Sequence, residues 1–146
     1  MKNILCFEGE WKFNTYKKPE RFDLNSEPIL RMLKEYHKCD AIYRHILTKE
    51  DLKLYIEYFN RNKREWDKID IVYIACHGWF HSISLEGENG NVDLQELADI
   101  AGDFFRDKIV HFSCCKTLAN TSEVEHFKSI TCLLYTSPSP RDQRGS

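Results

Sequence analysis

Two short apolar runs constrain this chain more than any other feature. Ile69 to Cys76 (IDIVYIAC) leads directly into His77-Gly78, and Lys108 to Cys114 (KIVHFSC) leads into Cys115-Lys116-Thr117. Both runs are rich in Val, Ile, Tyr and Phe and lack a clean period of two, the pattern of strands buried on both faces of a parallel sheet. As parallel neighbours they would end side by side. His77 and Cys115 would then meet at the rim where open α/β sheets bind their ligands.

A histidine and a cysteine at one rim define a chemistry. A free thiol titrates near ~8.5 and is mostly protonated at neutral pH, but a neighbouring imidazole can take its proton and stabilise the thiolate, which is the nucleophile. Gly78 has no Cβ and lets a substrate backbone come close. Its N–H and that of Cys115 are the candidate donors to an oxyanion. Such a site transfers an acyl group through a thioester.

The rest of the chain supplies a frame for that rim. Asn3 to Phe7 reads as a first buried strand, followed by a loop, Glu8-Gly9-Glu10-Trp11, at the same end of the sheet. Glu8 and Glu10, together with Trp79 just after the His-Gly pair, are candidate substrate contacts; a solvated acidic loop is the plainer alternative for the two carboxylates. Ser26 is expected to cap a helix running to about Lys38, with Pro28 tolerated in its first turn. Ala41 to Ile46 is a second strand. Thr48 with Asp51 forms a capping box ahead of a helix whose apolar face is Leu52, Tyr55, Ile56 and Phe59. Arg61, Lys63 and Arg64, in or just beyond its last turn, complement the helix C-terminus. After His77-Gly78, Ser82 to Leu85, a Gly-Asn turn and Val92 predict a hairpin. Asp93 then caps a helix carrying Leu94, Leu97, Ile100 and Ala101, which Gly102 ends. The order predicts a parallel sheet wrapped by helices, an α/β fold.

Hydrophobic strand, His-Gly, hairpin and helix, then hydrophobic strand and Ser-Cys-Cys-Lys-Thr: this order resembles the caspase-like cysteine peptidases, most of all their bacterial CHAT-type branch. KNILCFEGEW and the lead-in length are also similar to small stand-alone proteins of that clan. The likeness spans roughly residues 1–131, and its specific part is HG and SCCKT. It implies a three-layer sandwich with a mainly parallel sheet, His77 as general base, Cys115 as nucleophile, hydrolysis of a peptide or protein substrate, and no cofactor. It also implies a regulatory protein partner in a bacterial signalling or defence system. The family register, with Thr117 two residues after the cysteine, selects Cys115 over Cys114. Sheets of this family have six strands in the order 2-1-3-4-5-6, so the chain is expected to stop after the fourth, leaving KIVHFSC as an open edge. The alternative within the same resemblance is an inactive caspase-like binding or scaffolding module.

Composition narrows the field further. A chain of 146 residues fits one domain, and a net charge of −2 offers no electrostatic footprint for nucleic acid. No apolar stretch approaches the ~20 residues of a membrane span, and the N-terminus lacks a signal-peptide plan, so a cytoplasmic address is expected. Of the six cysteines, Cys6, Cys76 and Cys114 fall within predicted buried strands, which favours reduced thiols over disulfides. Cys76, His77, His81, His111, Cys114 and Cys115 could in principle bind zinc. Without a C-x-x-C pair, and with adjacent pairs pointing to opposite strand faces, no metal site is assigned. His81 is expected on the hairpin and His111 in the core. Neither a G-x-G-x-x-G nor a Walker lysine motif is present. Finally, Cys132 to Asp142 (CLLYTSPSPRD) resembles one reading frame of a sequencing-library adapter. The domain is therefore expected over residues 1–131, with 132–146 a non-native disordered tail.

Overall fold

In a computed structural model of the chain, residues 3–9, 26–79, 81–114, 125 and 133–136 are described. Strand β1 (Ile4–Glu8) leads to helix α1 (Glu27–His37), strand β2 (Ala41–His45), helix α2 (Lys49–Arg61), a short helix α3 (Lys63–Trp66) and strand β3 (Ile71–Ala75). Three short strands follow, β4 (His77–Trp79), β5 (Ser82–Ser84) and β6 (Asn91–Asp93), then helix α4 (Leu94–Ala101), strand β7 (Ile109–Ser113) and strand β8 (Leu133–Thr136).

The long strands form one sheet in the order β2-β1-β3-β7-β8, and every pairing in it is parallel. The four strands expected from the sequence are there, in the expected order second, first, third, fourth. The protein is thus a mixed α/β fold with a parallel sheet, helices and a small antiparallel sheet, β4-β5-β6. The open edge expected at the fourth strand is not found, because the backbone of residues 133–136 pairs with β7. Those four residues lie in the stretch expected to be a disordered tail. Composition underweights LLYT, an apolar and β-prone segment whose backbone satisfies an otherwise bare edge, and the Ser/Pro/Arg run expected to be disordered lies outside the described residues.

Alternation along the strands divides the sheet into two faces. Leu5, Phe7, Val72, Ile74, Val110 and Phe112 share one face, all fully buried. They meet Leu52, Ile56 and Phe59 of α2 and Leu94, Leu97 and Ala101 of α4 in one continuous core. Phe104 lies at its centre, stacked on Trp66 at 4.0 Å between ring centroids and in contact with Phe7, Phe59 and Phe105. Lys108 closes the lower end of this layer. Its buried ammonium donates to the carbonyls of Trp66 (3.0 Å) and Ile69 (2.6 Å) and sits 4.6 Å from the Trp66 ring, a pairing that offsets the cost of burying a charge.

The opposite face is covered by α1. There Ile4, Ile71, Tyr73, Ile109 and His111 face Ile29, Leu30 and Leu33 across a groove of about 550 Å³. Tyr73 and His111 stack at 5.0 Å, so His111 is a half-buried sheet residue, close to the core position expected for it.

Local signals explain the helix starts, with one exception. Thr48 and Asp51 form the predicted capping box, and Asp93 accepts from the Glu96 amide at 2.7 Å. Ser26 stands at the N-cap of α1, but its side chain makes no cap bond. It donates instead to Glu8 Oε2 at 2.8 Å, while its amide donates to Glu8 Oε1 at 2.8 Å. Tyr43 also donates its hydroxyl to Glu8 Oε1, at 2.8 Å. A buried carboxylate thus ties α1 and β2 to the end of β1.

That knot generates the first prediction. Tyr43→Phe removes one donor to a buried carboxylate and should cost about 1–2 kcal/mol, whereas Glu8→Ala leaves several donors without an acceptor and should cost more, about 2–4 kcal/mol. Urea unfolding of both variants orders the two losses; equal losses would deny Glu8 its fastening role. A second prediction concerns pH. Burial holds His111 below the ordinary imidazole value. The unfolded chain therefore takes up this proton at a higher pH than the folded chain, so the His111 contribution is intact above about pH 6.5 and declines as pH falls toward the depressed value. His111→Phe, which keeps a ring against Tyr73, should flatten that part of the unfolding midpoint's pH dependence; an unchanged slope would assign it to another group.

Candidate functional site

The C-terminal ends of β1, β3 and β7 form one rim, and the strand order reverses between β1 and β3, where crevices open in sheets of this kind. Here the two strands stay in close contact one residue past their ends. Gly9 N–H donates to the Ala75 carbonyl at 2.8 Å, and a Cβ built on Gly9 would stand 2.9 Å from the Cβ of Cys76. Only glycine lets the two segments approach this closely.

Beside this contact, the last paired residues of β3 and β7 are Ala75 and Ser113. One residue further along each strand, Cys76 and Cys114 are both buried, with their sulfurs 3.4 Å apart. Cys114 Sγ also donates to the Ile74 carbonyl at 3.4 Å. The hydrogen bond with Cys114, reinforced by burial, holds the Cys76 thiol well above its ordinary value. Neither thiol is placed to meet a substrate.

His77 follows Cys76 and, by alternation, turns to the opposite, exposed side. Expected at the end of the third strand, it is the first residue of β4. The pairing of β4 with β5 and of β5 with β6 fixes its surroundings. His77 lies opposite Ser84 and Trp79 opposite Ser82, with Gly78 opposite Ile83. The amide of Leu94 donates to the His81 carbonyl and that of Leu85 to the Gly90 carbonyl, so Ile83 is the residue of β5 whose backbone faces β6. The backbones of Ser82 and Ser84 therefore face β4. They pair with Trp79 and His77, and the Gly78 N–H points to the other edge of β4, away from β5.

Side chains sort in the same way. Gly78, Ile83 and Val92 form the inner row of the small sheet, with Ile83 and Val92 fully buried against the core, while His77 and Trp79 lie on the outer row. Trp79 is 54 % exposed, a large aromatic two residues from the imidazole. The turn joining β5 to β6 needs left-handed backbone at Gly87 (φ 88°) and Asn89 (φ 58°), which accounts for the Gly-Asn cluster in the sequence. His81 also has positive φ and holds the start of α4 through its carbonyl, a structural place on the hairpin.

The candidate residues thus separate. His77, Gly78 and Trp79 share one short strand at the rim. Glu8, expected in a loop, is the last residue of β1, 1 % exposed and bound to Ser26 and Tyr43. It faces the α1 side of the sheet and is a fastening group for the fold. Glu10 and Cys115 lie outside the described residues. Sequence reasoning missed the Cys76–Cys114 contact, although the register of the two apolar runs, extended by one residue, pairs these positions. Among the described residues, no group of three or more His, Cys, Asp or Glu side chains is arranged to hold a metal ion, and no helix is long and apolar enough to cross a membrane.

Fold and rim together define an α/β domain with a thiol- and imidazole-bearing sheet end. Over residues 1–135 the chain matches the family of unknown function DUF6642, and it belongs to that family. No curated protein matches it.

The close approach at the rim is directly testable. Gly9→Ala forces a Cβ into Cys76 and should destabilise the fold by about 1–3 kcal/mol, read as a lower urea midpoint. A midpoint equal to that of the parent would mean the two segments are not held together in solution.

Proposed function

We propose that the protein is a thiol hydrolase of the caspase-like kind, with Cys115 as nucleophile, His77 as general base, and the amides of Gly78 and Cys115 as the oxyanion hole. The observation that carries this reading is the Cys76–Cys114 sulfur contact at 3.4 Å, because each of the two proposed catalytic residues is the next residue in the chain after one member of that contact. The exposed placement of His77 and the outward direction of the Gly78 N–H support it. The burial of Cys114, the competing nucleophile, supports it as well.

In this mechanism His77 accepts the Cys115 thiol proton, and the thiolate attacks the carbonyl carbon of a peptide bond. The oxyanion collects hydrogen bonds from backbone amides, the amine leaves with the proton held by His77, and water hydrolyses the thioester. No cofactor enters. Trp79 offers an aromatic surface to the substrate side chains beside the scissile bond. A peptide or protein substrate, a regulatory protein partner and a reducing, cytoplasmic address belong to the same proposal.

Alkylation of each cysteine against pH, read by mass spectrometry on the folded chain, tests it. Cys115 should react fast well below the ordinary thiol value of ~8.5, and His77→Ala should abolish that advantage. A folded chain in which Cys115 reacts no faster than the half-buried Cys39 at neutral pH would sink the hydrolase and favour a binding or scaffolding module.

A further inference from the structure

Two thiols held in contact between neighbouring strands can do more than fill space. Cys76 and Cys114 continue the parallel register of β3 and β7 by one residue beyond Ala75 and Ser113. Neighbouring strands lie about 4.8 Å apart, inside the range of about 4.4–6.8 Å between Cα atoms that a disulfide spans. The sulfurs, at 3.4 Å, need to approach by about 1.4 Å to reach bonding distance, a movement within reach of side-chain rotation. The contact also lies at the strand ends and not in mid-sheet, where fraying of one or two backbone bonds admits a small oxidant.

We propose that Cys76 and Cys114 are a redox pair, a site of reversible disulfide formation that ties β3 to β7 immediately before His77 and Cys115. The oxidant is hydrogen peroxide. When the strand ends fray, one thiol gives up its proton and attacks a peroxide oxygen as the thiolate; the O–O bond breaks to leave a sulfenic acid and hydroxide, and the hydroxide takes that proton to give water. The second sulfur then displaces the hydroxyl, so that an S–S bond forms and the S–O bond breaks. Both thiol protons end in water; the two sulfurs together lose two electrons and the peroxide gains them. In the reduced chain the Cys114 hydrogen bond and burial keep Cys76 protonated, consistent with a dithiol at rest. The cross-link itself does not depend on the hydrolase reading; only its consequence for a nucleophile at the rim does.

The experiment uses the full chain, its fold checked by circular dichroism, titrated with hydrogen peroxide, alkylated, and digested with trypsin without reduction. Cys76 falls in the tryptic peptide 69–106 and Cys114 in 109–116, which also holds Cys115. The expected product is these two peptides joined with the loss of two hydrogens, reversed by dithiothreitol. It should persist in Cys115→Ser and disappear in Cys114→Ser. Absence of the linked peptides at peroxide levels that oxidise the 39–44 peptide bearing Cys39 overturns the proposal. So does a cross-link that survives in Cys114→Ser and is lost in Cys115→Ser. If Cys114→Ser does not fold, Cys115→Ser alone decides, since its cross-link can come only from Cys114.

Discussion

The parallel pairing of β3 with β7 is the constraint on which the rest depends. It sets Val72 beside Val110 and Ile74 beside Phe112 on the face that α2 and α4 cover, and Tyr73 beside His111 on the face that α1 covers. A slip of one residue would turn the fully buried row out and the half-buried row in, exchanging Val, Ile and Phe for Tyr and His in the main core. The aromatic cluster around Phe104 makes that exchange costly, because it needs the flat, apolar row above it. Register is therefore held by core packing, and the placement of the residues at the strand ends inherits it.

Glu8 shows how the same sheet can take a residue out of a site. A carboxylate at the C-terminal end of a strand in an α/β sheet is a reasonable substrate contact. Here it belongs to the row of Ile4 and Cys6, which faces α1, and the helix start at Ser26 meets it there. Its neighbour Cys6 responds to that burial, with its thiol pushed up to about 12 by desolvation and by the nearby carboxylate. The polar group is retained in the interior because Ser26 and Tyr43 supply donors to both of its oxygens. The Glu8 carboxylate is thus committed to fastening a helix.

Much of this architecture is legible in the sequence, for reasons that differ from element to element. IDIVYIAC and KIVHFSC announce buried strands because no solvent face interrupts them. Thr48-Asp51 and Asp93 announce helix starts because a short side chain must satisfy the first amides. The strand character of His77-Gly78-Trp79 was not legible, since three residues carry no period and the strand exists only through its pairing with β5. Lys108 was equally hidden: nothing local indicates that an ammonium will find the carbonyls of Trp66 and Ile69, some forty residues earlier. Ser26 had the right residue type for a cap and a different partner, because a tertiary carboxylate competes with the helix's own amides. At the rim, the positions of His77 and Gly78 followed from the motif, while the outward direction of the Gly78 amide followed only from the hydrogen-bond phase of a three-stranded sheet.

That phase connects the core to the proposed chemistry. Ile83 and Val92 are buried because the small sheet lays its inner row on the core, and this forces Ser82 and Ser84 to spend their backbones on β4. Gly78, opposite Ile83, then has its amide on the far edge and no side chain on the near face. Extended backbone between Cys76 and His77 does the rest: with one residue pinned inward against Cys114, the next is turned outward. The two buried thiols act as a ruler at the end of the sheet, and the imidazole and the Gly78 amide are displayed by packing that has nothing to do with catalysis.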